Sequence, residues 1–474
     1  MNRKLQTSFI YLLCLVITLA ISIFPPQIIV NSQPKPASAE LRGVWLTNVA
    51  SGVLFVPWGV NRALHQLSQL NFNTVYPVVW NRGHTFYPSP VAKQVMGSSQ
   101  DSLLWLMRLG GDVLAEIVKQ GKRQGLRVIP WFEYGFMAPA GSELAKSHPQ
   151  WITGSRERSI KLQPDTLEEE LLNSTEPNVQ PYSEQVQKFI RNRAVSKTVW
   201  LNPLHPEVQE FILDLIVEVL TNYDVAGIQL DDHFGLPVDF GYDPFTVRLY
   251  QQEHQGKNPP VNPEDPEWMR WRADKITEFM QRVFQAVKIV KPDAIVSLSP
   301  NPQDFSYKAY LQDWQTWVKL GLVDELILQV YRDDMKTFLA QLSHPAVEIA
   351  RQKIPVGVGI LSGLWTHPVE IEQIKQQVKA VRDRGFNGVS FFYWESLWGY
   401  IAPESPRKRR AAFRALFPSR ATQPKVLPKP VNNKPLFPSN ATQPKVLPKP
   451  VNSKPLFPSN ATQPKVLPKP VNSK

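Results

Sequence analysis

Residues 227–232 read GIQLDD, an apolar run that stops on two acids. Side chains alternate along extended chain, so Ile228 and Leu230 share one face while Gln229 and Asp231 share the other. A strand with aliphatic residues outward, polar residues inward and carboxylates at its C-terminal end suits the wall of a barrel whose strand ends carry chemistry. The pattern recurs between residues 42 and 416. Eight short apolar runs each stop on a polar or acidic stretch: Asn48, Trp80-Asn81, Glu133, Asp231-Asp232, Ser299 to Asn301, Tyr331 to Asp333, Gly359 to Ser362 and Trp394-Glu395. A helix-compatible stretch follows each of the first seven. Eight such units predict a closed (β/α)8 barrel of the TIM type.

The predicted strands cover residues 42–48, 74–80, 126–134, 227–232, 294–299, 325–331, 355–360 and 388–394. Predicted helices lie over 58–70, 112–124, 206–221, 266–290, 307–320, 334–352 and 368–384. Asp112 suits an N-cap and Gly125 a helix end. Pro206 suits a first helical position, ahead of an apolar stripe of Val208, Phe211, Ile212, Leu215 and Val219. Pro345 interrupts the sixth helix. Two connections, 135–199 and 233–265, are longer than closure requires and leave from the catalytic face, so they are expected to wall a substrate cleft.

The net charge of +12 is unevenly spread. Residues 1–39 hold three cations and no acid, and residues 416–474 hold ten cations and no acid. The barrel, 40–415, is left at −1, which excludes a nucleic-acid footprint on it. Arg3 and Lys4, the apolar run from Ser8 to Phe24, and Ala37-Ser38-Ala39 read as a signal peptide over 1–39. An uncleaved anchor is the alternative, since the run approaches spanning length. The expected location is therefore the periplasm or cell envelope. The lone cysteine, Cys14, lies in that leader, so the mature chain has no disulfide, zinc or thiol chemistry from cysteine.

From residue 416 the segment LFPSRATQPKVLPKPVNNKP begins a 20-residue repeat present three times. Its many prolines and lack of acids predict a disordered, polyproline-like tail. Its charge suggests a tether that binds an anionic envelope polymer or a membrane surface. Arg407, Lys408, Arg409 and Arg410 are expected to extend that basic surface.

Glycosidic cleavage needs two carboxyl groups, one to protonate the leaving oxygen and one to attack or to activate water. Asp231 and Asp232 are the first candidates; a calcium site or a helix cap is the structural alternative. Glu133, in a run of aromatics, would have its pKa raised by burial, which suits a general acid. The alternative there is an ion pair with Arg127 or Arg42. Glu395 occupies a similar position on the eighth strand. Asp333 and Asp334 follow the sixth, where one would cap the next helix or touch substrate. Asn48, Asn81, His84, His233, Asn301 and Tyr331 are polar candidates for sugar hydroxyls. Trp80, Trp131 and Trp394 are candidates for stacking on pyranose faces. No metal-ligand spacing and no phosphate loop is present, so no cofactor is expected.

The segments LRGVWLTNV (41–49), NTVYPVVWN (73–81), VIPWFEYGFMA (128–138), WLNPLHPE (200–207), GIQLDDHFGLP (227–237) and LSPNP (298–302) together resemble the glycosyl-hydrolase-like 10 family. The resemblance covers about residues 40–415. It implies a TIM barrel, glycoside hydrolysis and a place among proteins that cleave cell-wall glycan. Asp231 and Asp232 in LDDHF and Glu133 in PWFEYG are the carboxyls it carries over, without assigning acid or nucleophile. The expected function is an exported glycoside hydrolase acting on an envelope polysaccharide such as peptidoglycan glycan strands. The alternative is a glycan-binding barrel without catalysis.

Overall fold

The computed structural model describes residues 40–156, 198–364, 367–398 and 402–419. The predicted leader and the repeats beyond Ser419 lie outside the described residues, as does most of the connection after the third strand. Eight parallel strands close into a barrel. They are β1 (Leu41–Leu46), β2 (Thr74–Asn81), β3 (Arg127–Val128 and Trp131–Glu133), β4 (Gly227–Asp231), β5 (Ile295–Ser299), β6 (Glu325–Gln329), β7 (Val356–Leu361) and β8 (Gly388–Phe392). Closure is direct, with Leu41 of β1 beside Gly388 of β8 and Gly43 beside Thr74 of β2. β3 was expected as one run. It breaks at Ile129-Pro130, because proline has no N–H for the ladder.

The helices obey their local signals. Asp112 accepts from the Ala115 N–H at 2.9 Å, and Gly125 ends that helix in the left-handed region. Pro206 opens Pro206–Asn222, whose predicted stripe is buried. The predicted fifth helix is two, Gln303–Tyr310 and Trp314–Leu320, separated at Leu311. The sixth splits at Pro345 as expected, and the His344 ring caps its second part. Helix Pro406–Leu416 follows β8, where none was predicted. Its inward residues are Arg409 and Phe413 alone, so its sequence reads as basic tail.

Two corrections follow. Arg409 is fully buried; it donates to the carbonyls of Leu397, Val369, Ser362 and Ser396 and pairs with Glu404 at 3.0 Å, so it is no part of a basic surface. The barrel also runs past residue 415. Phe417 is buried against Phe72 and Phe391, and the Ser419 carbonyl accepts from Arg42. Among the described residues no helix is long and apolar enough to cross a membrane.

Inside the barrel, side chains lie in tiers. Near the strand starts Arg127 pairs with Glu325 at 2.6 Å, and Tyr76 and Ser297 donate to the same carboxylate. Above them Trp45 stacks on Tyr76 and donates its indole N–H to Gln229. The Arg127–Glu325 pair is fully enclosed. Removing one partner of such a pair leaves the other charge buried, at about 3–5 kcal/mol. Glu325→Ala should therefore shift the urea midpoint down by that free energy, and Arg127→Met added to it should recover part of the loss. An unchanged midpoint in Glu325→Ala would show that the pair is not structural.

Candidate active site

The mouth is built by β1 to β6 at their C-terminal ends. Parity from Trp45 sends Thr47 inward, and parity from Trp131 sends Glu133 inward. The β3–β4 register pairs Trp131 with Gln229 and Phe132 with Leu230, so Glu133 and Asp231 end adjacent strands, about one strand spacing (~4.8 Å) apart. Thr47 Oγ1 donates to Glu133 at 3.0 Å, and Asn81 Nδ2 donates to it at 2.9 Å and to Asn48 Oδ1 at 2.8 Å. Burial, reinforced by Asp231 alongside, pushes the Glu133 carboxyl up to about 8; Thr47, Arg82 and Asn81 offset only part of this. Arg127 and Arg42 pair elsewhere, with Glu325 and Glu40, so neither holds Glu133 as an ion pair.

Asp231 points inward as parity predicts. It is buried, and both its oxygens accept backbone N–H bonds, from Tyr134 at 2.9 Å and His233 at 3.0 Å. Burial raises its pKa, with the Asp232 charge adding to the effect and His233 opposing it. Asp232 turns the other way, toward β5 and β6, where Asn301 donates at 2.6 Å and Gln329 at 3.3 Å. Its side chain keeps 13% of its surface in solvent and is the accessible acid of the pair. Tyr331 sits above, against Phe392, its hydroxyl held protonated by burial and by Asp232, Glu133 and Asp231 together. Trp131 lies in the barrel against Trp45 and Phe392. The ring of His233 packs against Tyr134, Trp200 and Tyr310.

The ligand atoms of Asp231, Asp232 and His233 lie within 4.8 Å of one another, the spacing of the cation site considered above. Each Asp231 oxygen accepts one backbone N–H, which anchors the carboxylate at the junction of β3 and β4.

Three expectations fail on geometry. Trp80 faces the helices rather than the mouth: a register shift between Val78 and Trp80 reverses the parity of β2, turning Asn81 inward and Trp80 onto Phe211, with its N–H on the Gly135 carbonyl. Glu395 clasps the loop after β1, accepting from Ser51 Oγ and from the Val53 N–H. Its pKa rises to about 7 through burial. Asp333 is exposed and pairs with His367 at 2.7 Å, while Asp334 caps the next helix. His84 sits half-buried in a short antiparallel ladder with Asn81, and Trp394 half-buried just past β8. The long connection after β3 contributes a three-stranded antiparallel sheet of Met137–Pro139, Thr198–Leu201 and Ile152–Thr153.

Sequence reading missed Thr47, Arg82, Tyr134 and Gln329. Parity along β1 would have found Thr47. Arg82, whose guanidinium lies 4.2 Å from the Tyr134 ring, sits in a turn that carries no periodic signal.

The profile of the Glycosyl hydrolase-like 10 family matches residues 40–193 and 181–381, and the chain belongs to that family. "Glycosyl hydrolase DigH" of Escherichia coli is 25% identical over 333 residues, covering 63% of this chain and 66% of its own length. "Glycosyl hydrolase YngK" of Bacillus subtilis is 22% identical over 62% of this chain and 54% of its own. The chain thus spans less than two thirds of either curated relative. The glycoside hydrolase domain of PgaB (BpsB) from Bordetella bronchiseptica aligns with a TM-score of 0.52 at 14% identity, covering 77% of this chain and 99% of that one. The β-amylase catalytic domain from Paenibacillus polymyxa gives 0.51 at 10% identity, over 80% and 99%. Identities this low speak for the fold alone.

Proposed function

We propose that the chain is an exported glycoside hydrolase acting on an envelope polysaccharide, with the glycan strands of peptidoglycan as first candidate. The observation that carries this reading is a buried Glu133 held protonated near neutral pH beside two aspartates of which one is accessible. In this reading Glu133 gives its proton to the glycosidic oxygen as the bond to the anomeric carbon breaks. Asp232 attacks that carbon or takes a proton from the incoming water. Asp231 fixes the ends of β3 and β4 and, through its charge, keeps Glu133 protonated. Tyr331, Asn301 and Asn48 are placed to meet sugar hydroxyls, and Trp131 a ring face. The printed names of DigH and YngK support hydrolysis as the reaction class. The basic leader and tail support an envelope location.

The test is a reducing-end assay of the mature chain on peptidoglycan stripped of peptides, on a chitin-like polymer and on α- and β-glucans, with Glu133→Gln alongside. Wild-type release from one polymer, lost in the variant, is expected. Retention on a polymer with no new reducing ends on any of them would leave the glycan-binding reading instead.

A further inference from the structure

The rim of the mouth beyond β1 and β2 carries an apolar knob that the catalytic reading does not use. Trp58 is 66% exposed, Trp105 56%, Leu106 61% and Leu109 90%, with Met107 beside them. These residues belong to two loops held together: the Arg108 guanidinium donates to the Val56 carbonyl at 2.9 Å, and Phe55 meets Phe86 edge-on. Trp58 immediately precedes helix Gly59–Gln69, and the others sit on or after helix Ser102–Met107. Of that helix only Leu104 is buried. Leu109 has a φ of 51°, in the left-handed region that Gly or Asn enters at lower cost, and this conformation ends on a side chain almost wholly in solvent. Clustered apolar side chains of this size on a soluble surface mark an interaction site.

The charges around the knob point to its partner. Residues 49–112 contain four Arg or Lys, two Asp and no Glu, and one of the four cations, Arg108, is paired with Glu116 of the following helix. Both aspartates, Asp101 and Asp112, are helix N-caps bonded to backbone N–H groups. Arg62 stands exposed one helical turn after Trp58, and Lys93 is exposed on helix Pro90–Met96. Trp, Leu and Met with the exposed Arg62 among them match the boundary of an anionic bilayer, where an indole ring rests at headgroup level and aliphatic chains enter the acyl region. A sugar platform would call for aromatic faces with polar partners, whereas three of the five side chains here are aliphatic. We propose that this knob inserts into an anionic lipid surface. A single shallow apolar insertion holds only weakly, and a second signal makes it durable. The ten cations and absent acids of residues 416–474 are suited to supply that signal.

The test uses the full chain with an environment-sensitive fluorophore at Ser102→Cys, in a Cys14→Ser background. A second reporter at Asp293→Cys sits on the exposed turn before β5, at the opposite end of the barrel. With vesicles of phosphatidylglycerol and phosphatidylcholine, the Ser102 reporter should shift to the blue and lose quenching by aqueous iodide, while the Asp293 reporter stays unchanged. The shift should weaken as salt rises, since exposed charges are screened within ~10 Å at 0.1 M. Leu106→Ser with Leu109→Ser should abolish the shift even where other segments still carry the chain to vesicles. Cosedimentation with the Ser102 reporter still quenched would overturn the proposal. So would the same shift with a soluble polysaccharide, or on raising protein concentration without lipid. Those results would assign the knob to sugar binding or to self-association.

Discussion

Glu133→Gln is expected to lower turnover by at least ~10²-fold, because general acid–base help alone is worth ~10²–10⁴. The variant keeps the shape of the site: the amide oxygen can still accept from Thr47 and Asn81. What it loses is the proton. The wild type should show activity falling as pH rises through about 8, where the acid ionises. Stability supplies an independent arm. The folded pKa of Glu133 lies above its ordinary value of 4.5, mainly through burial and secondarily through Asp231. The favourable neutral form is then fully present below 4.5, and stability is lost as pH climbs from there to about 8. An amide escapes that loss. Melting temperatures of wild type and variant should nearly coincide at low pH, with the variant pulling ahead as pH rises. An inactive, more stable variant at pH 8 is the signature of a residue kept for chemistry against the interest of the fold. A variant with wild-type turnover on a verified polymer would remove Glu133 from the mechanism.

How much of this was legible in the sequence depended on whether one residue or several decided the answer. The barrel was legible because each unit repeats a period, and because Asp112, Gly125 and Pro206 act on their own helices without help from distant chain. That Glu133 and Asp231 end adjacent strands on the inner face was legible because side-chain parity along each strand carries them there. Trp80 was not, because one shifted register reverses every side chain beyond it and nothing in TVYPVVWN announces the shift. Helix Pro406–Leu416 was hidden by Arg409, a charge buried against four carbonyls that periodicity counts as surface. Glu395 looked like Glu133 in sequence. Its partners, Ser51 and the Val53 N–H, come from the opposite end of the chain, and only barrel closure brings them there.

Asp232→Asn and Asp231→Asn should fail in different ways, although the sequence presents them as equivalent. Asp232 is the accessible acid; its two oxygens accept from different amides, so asparagine keeps the 2.6 Å bond from Asn301 through its one oxygen, while the Gln329 amide remains held by the Ser299 carbonyl. Its replacement should cut turnover by at least ~10²-fold, leaving the melting temperature and the alkaline limb near pH 8 in place. Asp231 is sealed beneath the mouth and acts through Glu133. Removing its charge withdraws one of the two influences that raise the Glu133 pKa, so the alkaline limb of the pH–rate profile should move below about 8. At the same time the asparagine can offer an acceptor to only one of the Tyr134 and His233 N–H groups. A buried donor left without a partner costs about 1–3 kcal/mol, which loosens the β3 and β4 ends that aim Glu133. Turnover at the new optimum should therefore drop less than in Asp232→Asn, roughly the tenfold that ~1.4 kcal/mol of lost positioning represents. Matched pH–rate profiles of the two variants on one oligosaccharide decide the matter. If the limb stays fixed in Asp231→Asn and its loss of turnover exceeds that of Asp232→Asn, the roles are reversed and the buried aspartate is the one that meets the anomeric carbon.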